Sequence, residues 1–447
     1  MSLDMTRGKP LRLMVLFALP VLLSSALQQL YSLFDSIIVG RMLGANAFAA
    51  VGCCSYLNWF PLSMLMGLTQ GFGVLLGQRF GAKDERGFRQ ALATGTLLST
   101  LLGLLLTLAG VAFLRPFLTL LKTPDALVPD SYAYLRVLWS GLVVTALYNI
   151  AGAALAALGD SRTPLVALVV ATLMNIGLDY LFIAPLGMGV QGAALATLIS
   201  QLAAFALCAG KLWRNRFARP QKADWKPDAP TARELLRLGL PLLISRAVTS
   251  AGSLVVQVAV NLFGVVFVTG IAAAMRYFSL INIVGCALEA ALATFVAQNA
   301  GAKQVGRVLD GTRTAVRVGI VSSLVVSLLV IASAQTLIAL FLPNGDPEAI
   351  LVGVEALRVE AAFLLLLNML CLHRAAIQGV GNSFLPMLSG FVELMLRIIA
   401  ACALPRLFRS AGLYFTDAFT WTGTALYLMG SYYFYIRKKL VRGELLQ

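Results

Sequence analysis

The sequence predicts an all-α integral membrane protein with twelve transmembrane helices in two pseudo-symmetric six-helix bundles. Three observations predict it. Of 447 residues, 59% are hydrophobic and only 12% charged, against about 25% charged in a soluble chain, and mean hydropathy is +0.84. Apolar runs of the roughly 20 residues needed to span hydrocarbon recur from end to end, so no large soluble domain fits between them. The two halves of the chain also repeat one another.

The runs fall at 11–40, 48–76, 90–114, 131–157, 164–185 and 190–212, then at 234–264, 270–297, 311–342, 349–377, 386–407 and 412–436. The first follows MSLDMTRGKPLR directly and is too long for a signal-peptide core, so it reads as the first span. An even number of spans puts both termini on one side. Of the 35 Lys and Arg, 25 lie on that side. Only Arg41, Arg115, Lys122, Arg406 and Arg409 lie in the opposite loops. The positive-inside rule then makes the termini cytoplasmic. Basic residues confined to short inter-span segments are topology signals rather than a nucleic-acid face, despite the net charge of +15. The six cysteines, Cys53, Cys54, Cys208, Cys286, Cys371 and Cys402, lie in or beside apolar runs without CxxC spacing and read as buried thiols. The single histidine, His373, rules out a histidine-rich metal cluster.

The repeat has an offset of about 221 residues. LFALPVLLSS answers LRLGLPLLIS, matching Pro20 with Pro241. GQRFGAKDERGFRQA answers AQNAGAKQVGRVLDG, matching Lys83 with Lys303. ALGDSRTP answers GVGNSFLP, matching Gly159 with Gly381 and Pro164 with Pro386. Six spans per repeat relate the halves by an axis along the membrane normal. The expected organisation is an N-terminal bundle over 1–212, a basic linker over 213–233 bearing Pro220, Pro227 and Pro230, and a C-terminal bundle over 234–447. Pro20 is a candidate hinge in the first span.

Ionisable residues inside spans cost at least ~2.5–3.5 kcal/mol each and call for a function or a partner. Asp35 and Asp179 both fall roughly 8–9 Å inside the outer boundary, and Thr197 roughly 10 Å inside it. Asn175 lies one helical turn from Asp179 on the same face. Two carboxylates, an amide and a hydroxyl are thus expected to converge in the outer half of the first bundle. Two carboxylates in low dielectric repel and are poorly solvated, so such a pair takes up a proton or a hard cation such as Na⁺. The competing reading is that each Asp only caps or hydrogen-bonds a neighbouring helix. The second half carries Arg246, Arg276, Glu289, Glu360, Glu393 and Arg397. Glu393 and Arg397 have the i, i+4 spacing of a structural ion pair. Glu289 and Arg246 share a depth and are candidates for the same network. Glu360 has only Arg358 nearby and is a candidate for substrate or ion binding. Arg374, at the inner end of its span, is expected to snorkel to the interface. No metal site is expected beyond Na⁺ at Asp35 and Asp179, and no cofactor.

YSLFDSIIVGRMLG, ALGDSRTPLVALVVATLMNIGLDYLFI, GVQGAALATLIS and QGVGNSFLPMLSGFVELMLRI together resemble the multidrug and toxic compound extrusion (MATE) transporters over nearly the whole chain. The resemblance implies a secondary exporter in a prokaryotic inner membrane, acting as a monomer. It would exchange inward H⁺ or Na⁺ for outward organic cations or other amphiphiles. Asp35, Asn175, Asp179 and Thr197 match the first-bundle coupling site of one branch of that family. The alternative is a flippase for lipid-linked oligosaccharide or peptidoglycan precursors, with Arg246, Arg276 and Arg397 holding a pyrophosphate. An enzyme is disfavoured, because no nucleophile–base or metal constellation is present.

Overall fold

Hydrocarbon contains nothing that can hydrogen-bond a peptide group, so a chain this apolar must satisfy its backbone within each crossing segment. The computed structural model describes residues 3–120, 124–226, 228–343 and 345–445, and every long regular element among them is helical. Lys122 and Pro227 lie outside the described residues.

The first half holds α1 (Pro10–Leu43), α2 (Ala45–Gly81), α3 (Glu85–Leu120), α4 (Val128–Ser140), α5 (Leu142–Ala157), α6 (Arg162–Ile183) and α7 (Gly189–Arg214). The second holds α8 (Ala229–Asn261), α9 (Gly264–Ile281), α10 (Ile283–Gly301), α11 (Val305–Phe341), α12 (Pro347–Ala362), α13 (Leu364–Gly379), α14 (Phe384–Phe408), α15 (Thr416–Gly430) and α16 (Arg437–Val441). A 3₁₀ turn, Arg409–Phe415, joins α14 to α15, and a π-helical turn, Ser431–Ile436, carries α15 into α16.

Among the described residues, length and composition alone qualify ten helices as spans, or eleven if α4 and α5 are one. The repeat resolves these into twelve. α9 and α10 meet at Asn282, whose backbone stays helical, and together they occupy the place of the single helix α2. The stretch Phe384–Val441 has 58 residues and at roughly 1.5 Å per residue is far too long for one crossing; the Arg409–Phe415 turn divides it into two. α4 and α5 bend by 48° at Gly141, where a Cβ would meet Leu198 of α7 at 2.2 Å. In the second repeat the corresponding break, at Phe363, separates α12 from α13.

The motifs that reveal the repeat are its tight turns. Lys83 and Lys303 both take the left-handed backbone, φ 58° and 56°, between α2 and α3 and between α10 and α11. Asp160 accepts from the amides of Arg162 and Thr163 at 3.1 and 3.0 Å to cap α6, and Asn382 accepts from the amide of Leu385 at 3.1 Å to cap α14.

The chain packs as two compact units. One comprises Met1–Asp4 and Leu23–Leu243, the other Met5–Leu22 and Ile244–Gln447. Each of α1 and α8 therefore changes unit two residues past its internal proline, Pro20 or Pro241, where the missing backbone N–H loosens the helix. In the second unit the N-terminal peptide is held firmly. Met5 is fully buried, its amide donates to Gln298 Oε1 at 2.8 Å, and Arg307 donates to the carbonyls of Met5 and Gly8 at 2.8 and 2.9 Å.

The segment expected to be an irregular linker is shorter and better ordered than its prolines suggested. α7 continues to Arg214, α8 begins at Ala229, and Pro230 sits in the first turn of α8, where its missing N–H costs nothing. Between them, Phe217 packs edge-on against Phe80 and Phe88, with ring centroids 5.1 and 5.3 Å apart. Asp224, only 5% exposed, lies 3.4 Å from Arg89 Nε. Ring packing of Phe217 and neutralisation of Arg89 fix a segment whose composition reads as loop. Asp224→Ala should therefore destabilise the first unit by about 2 kcal/mol, because it leaves a largely buried guanidinium with only the longer contact to exposed Glu85; a lower Tm of the purified protein in detergent measures it.

Candidate functional site

Three helices of the first unit build the site. One helical turn separates Tyr31 from Asp35 on α1, and another separates Asn175 from Asp179 on α6, so each pair shares a face. α7 adds Thr197. α6 and α7 approach closely because Gly192, Ala193, Ala194 and Ala196 of α7 are buried against their neighbours; a Cβ on Gly192 would meet Phe182 of α6 at 2.9 Å. The small residues of GVQGAALAT thus bring Thr197 to the level of the α6 polar face.

Asn175 and Asp179 are wholly buried. Asn175 Nδ2 donates to Asp179 Oδ1 at 3.5 Å. The carboxyls of Asp35 and Asp179 lie within hydrogen-bonding reach of each other. The Tyr31 hydroxyl and Thr197 Oγ1 are 3.2 Å apart, and Thr197 Oγ1 donates to the Ala193 carbonyl at 3.1 Å. Three oxygens are buried without a hydrogen-bond donor: Asp35 Oδ1, Asp179 Oδ2 and Asn175 Oδ1. Buried polar atoms in folded proteins are almost always satisfied. Three orphan acceptors converging in one place form a donor-poor, oxygen-rich set that fits a proton or a hard monovalent cation.

Sequence reasoning gathered Asp35, Asn175, Asp179 and Thr197, and the fold brings all four helical positions together. It missed Tyr31, which meets Thr197 one helical turn before Asp35, and Tyr134 of α4, which is 8% exposed and close enough to feel the charges of Asp35, Tyr31 and Asp179. The signal for Tyr31 was present as its i, i+4 spacing to Asp35. Nothing in the sequence around Tyr134 marks it.

The charged residues of the second unit form a different arrangement. Arg397 Nη2 pairs with Glu393 at 3.2 Å, the expected i, i+4 contact, and with Asp417 of α15 at 3.4 Å. Its Nη1 donates to the Thr249 carbonyl at 3.2 Å and to Ser253 Oγ at 2.9 Å, both on α8. Arg374 does not snorkel: its side chain is 11% exposed and reaches Glu393 at 3.1 Å, because a buried carboxylate within reach outweighs the distance to water. Arg358 is not the partner of Glu360, since it turns outward to Glu355 at 3.4 Å. Glu360 is 8% exposed, leaves Oε2 without a partner and faces Asp417 electrostatically. Glu289 and Arg246 flank Cys286 and Cys371, and Glu289 also acts on Arg374. His373 is buried, donates from Nδ1 to the Met369 carbonyl at 2.7 Å and packs on Tyr432 and Tyr433. Arg276 is exposed on α9. Arg397, committed to three helices, is not free to hold a pyrophosphate, which removes the basis for the flippase reading.

The MatE family model matches residues 20–181 and 241–402, once in each repeat. The chain belongs to the MatE family. The two matched segments are offset by 221 residues at both ends, as the repeat is. The chain is 30% identical over 363 residues to the probable multidrug resistance protein YpnP of Bacillus subtilis, covering 80% of each chain. It is 30% identical over 345 residues to the probable multidrug resistance protein YoeA of the same organism, covering 75% of this chain and 74% of that protein. A crystal structure of MATE in the bent conformation superposes with a TM-score of 0.90 at 24% identity, covering 99% of both chains. MATE proteins are multidrug efflux transporters rather than enzymes, and this chain is a multi-span membrane transporter of that family.

Glu393→Ala should unfold or destabilise the second unit, at a cost of about 3–5 kcal/mol, because Arg374 and Arg397 both lose a buried counter-charge. Asp35→Asn removes a charge that has no cationic partner among the described residues and should leave Tm within a few degrees of the unaltered chain. Fluorescence-detected size-exclusion chromatography after heating distinguishes the two.

Proposed function

We propose that this chain exports organic cations or other amphiphilic compounds in exchange for H⁺ or Na⁺ entering the cell, with Asp35, Asn175, Asp179 and Thr197 as the ion-coupling site. The observation that carries the reading is the set of three orphan oxygens around two apposed carboxylates in a bilayer segment. Without an ion the two negative charges repel, and screening inside the protein is weak. A proton or Na⁺ removes the repulsion and lets α1 settle against α6. Ion binding therefore favours one arrangement of α1, and a bound amphiphile must favour another, because coupling requires each ligand to discriminate between states. Pro20 supplies α1 with a place to bend. Thr197 and Tyr31 position the remaining oxygens.

The multidrug resistance names of the Bacillus relatives support an amphiphilic drug-like substrate. The distribution of Lys and Arg supports cytoplasmic termini in a prokaryotic inner membrane. Both repeats reside in one chain, which supports a monomeric transporter without cofactor or nucleic-acid partner. In this reading Glu393 and Arg397 are structural, while Glu289, Arg246 and Glu360 belong to a second polar network in the other bundle.

Proteoliposomes loaded with a fluorescent cation test the proposal. Imposed proton and sodium gradients, applied separately, should drive movement with at least one of them. Asp35→Asn and Asp179→Asn should each abolish gradient-driven movement while the protein stays folded. Full transport in both variants would refute the assignment.

A further inference from the structure

A second candidate site lies at the far end of the same bundle, where α5 ends, α6 begins and α7 runs out into the basic linker. A cavity of ≈ 650 Å³ opens there. Arg162, Lys211 and Arg214 line its polar side, and none of the three is in an ion pair among the described residues. Asp160 also lines it, but three hydrogen bonds, from the Arg162 and Thr163 amides and the Thr163 hydroxyl at 2.7 Å, already occupy its carboxylate. The opposite side is apolar: Val166 and Leu207 are 57% and 43% exposed. Below them Val170 and Leu173 continue the exposed apolar strip along α6, so the cavity opens onto a surface that faces acyl chains. Trp213, 54% exposed with the Arg219 guanidinium 5.4 Å from its ring, marks the membrane–water boundary at this level.

Three unpaired cations at headgroup depth above an apolar groove between two helices match an anionic glycerophospholipid in both charge and amphiphilicity. The second repeat supplies a built-in comparison. In GVGNSFLP the residue equivalent to Arg162 is Phe384, 58% exposed. The fold therefore does not require a cation at this turn. We propose that the α5–α6–α7 cavity binds the phosphate of an anionic phospholipid through Arg162, Lys211 and Arg214, with one acyl chain along Val166 and Leu207.

Native mass spectrometry of the full-length chain, released from nanodiscs containing phosphatidylglycerol and phosphatidylcholine, tests this. Phosphatidylglycerol should be retained about tenfold over phosphatidylcholine. The triple variant Arg162→Gln, Lys211→Gln, Arg214→Gln should lose that preference, and Arg216→Gln, Arg219→Gln, Lys222→Gln should keep it. Val166→Trp should weaken retention while leaving the charges in place. Competition on the unaltered chain is independent of any folding defect: glycerol phosphate should displace phosphatidylglycerol poorly. Equal retention of the two lipids, a preference that survives the triple substitution, or full displacement by glycerol phosphate would each overturn the proposal.

Discussion

A bilayer interior has no hydrogen-bond donors or acceptors to lend, and this constraint organises the protein at every scale. Backbone groups satisfy themselves in helices, and polar side chains are tolerated only where another polar group answers them. The main charged cluster of the second unit follows this rule in its charges. Arg374, Glu393, Arg397 and Asp417 pair across α13, α14 and α15, and Arg397 takes two further acceptors from α8. In the first unit Asp35, Asn175 and Asp179 leave acceptor oxygens unanswered around two apposed carboxylates. The two clusters differ in composition, because two arginines answer the carboxylates of one and no arginine answers those of the other among the described residues. Paired charges hold helices together, whereas unpaired carboxylates with orphan oxygens suit a cation.

The fold was largely legible because its information is carried by strong signals. Hydropathy located the spans, and the matching turns revealed the duplication. Those turns stand out because a left-handed backbone at Lys83 and Lys303 and Asx caps at Asp160 and Asn382 restrict residue choice more than a lipid-facing helix does. What hydropathy could not show were the breaks within spans. The break at Gly141 sits beside Leu198 of α7, a neighbour that tertiary structure sets.

The carboxylate cluster was legible for a related reason: carboxylates are expensive in spans, so few are present, and depth alone aligned them. The partners of charged residues were less predictable. Arg358 is adjacent to Glu360 in sequence but faces the other way, and Arg374 lies near an interface yet reaches inward to Glu393. Linear proximity and depth cannot report which side of a helix a neighbouring helix covers. Tyr134 illustrates the limit, since its nearness to the site comes from helix packing that no local sequence feature marks.

The exchange of segments between the packed units has a consequence for biosynthesis. The first 22 residues leave the ribosome at the start, yet Met5–Leu22 packs with a unit whose remaining residues begin at Ile244. The first unit likewise needs the start of α8 as far as Leu243. Neither bundle can complete itself from its own half of the message. The opening helix must wait in the membrane, with Met5 and its Gln298 and Arg307 clamp unmade, until synthesis passes α10 and α11. Separately expressed halves cut at the linker would each lack a helical segment that the other carries.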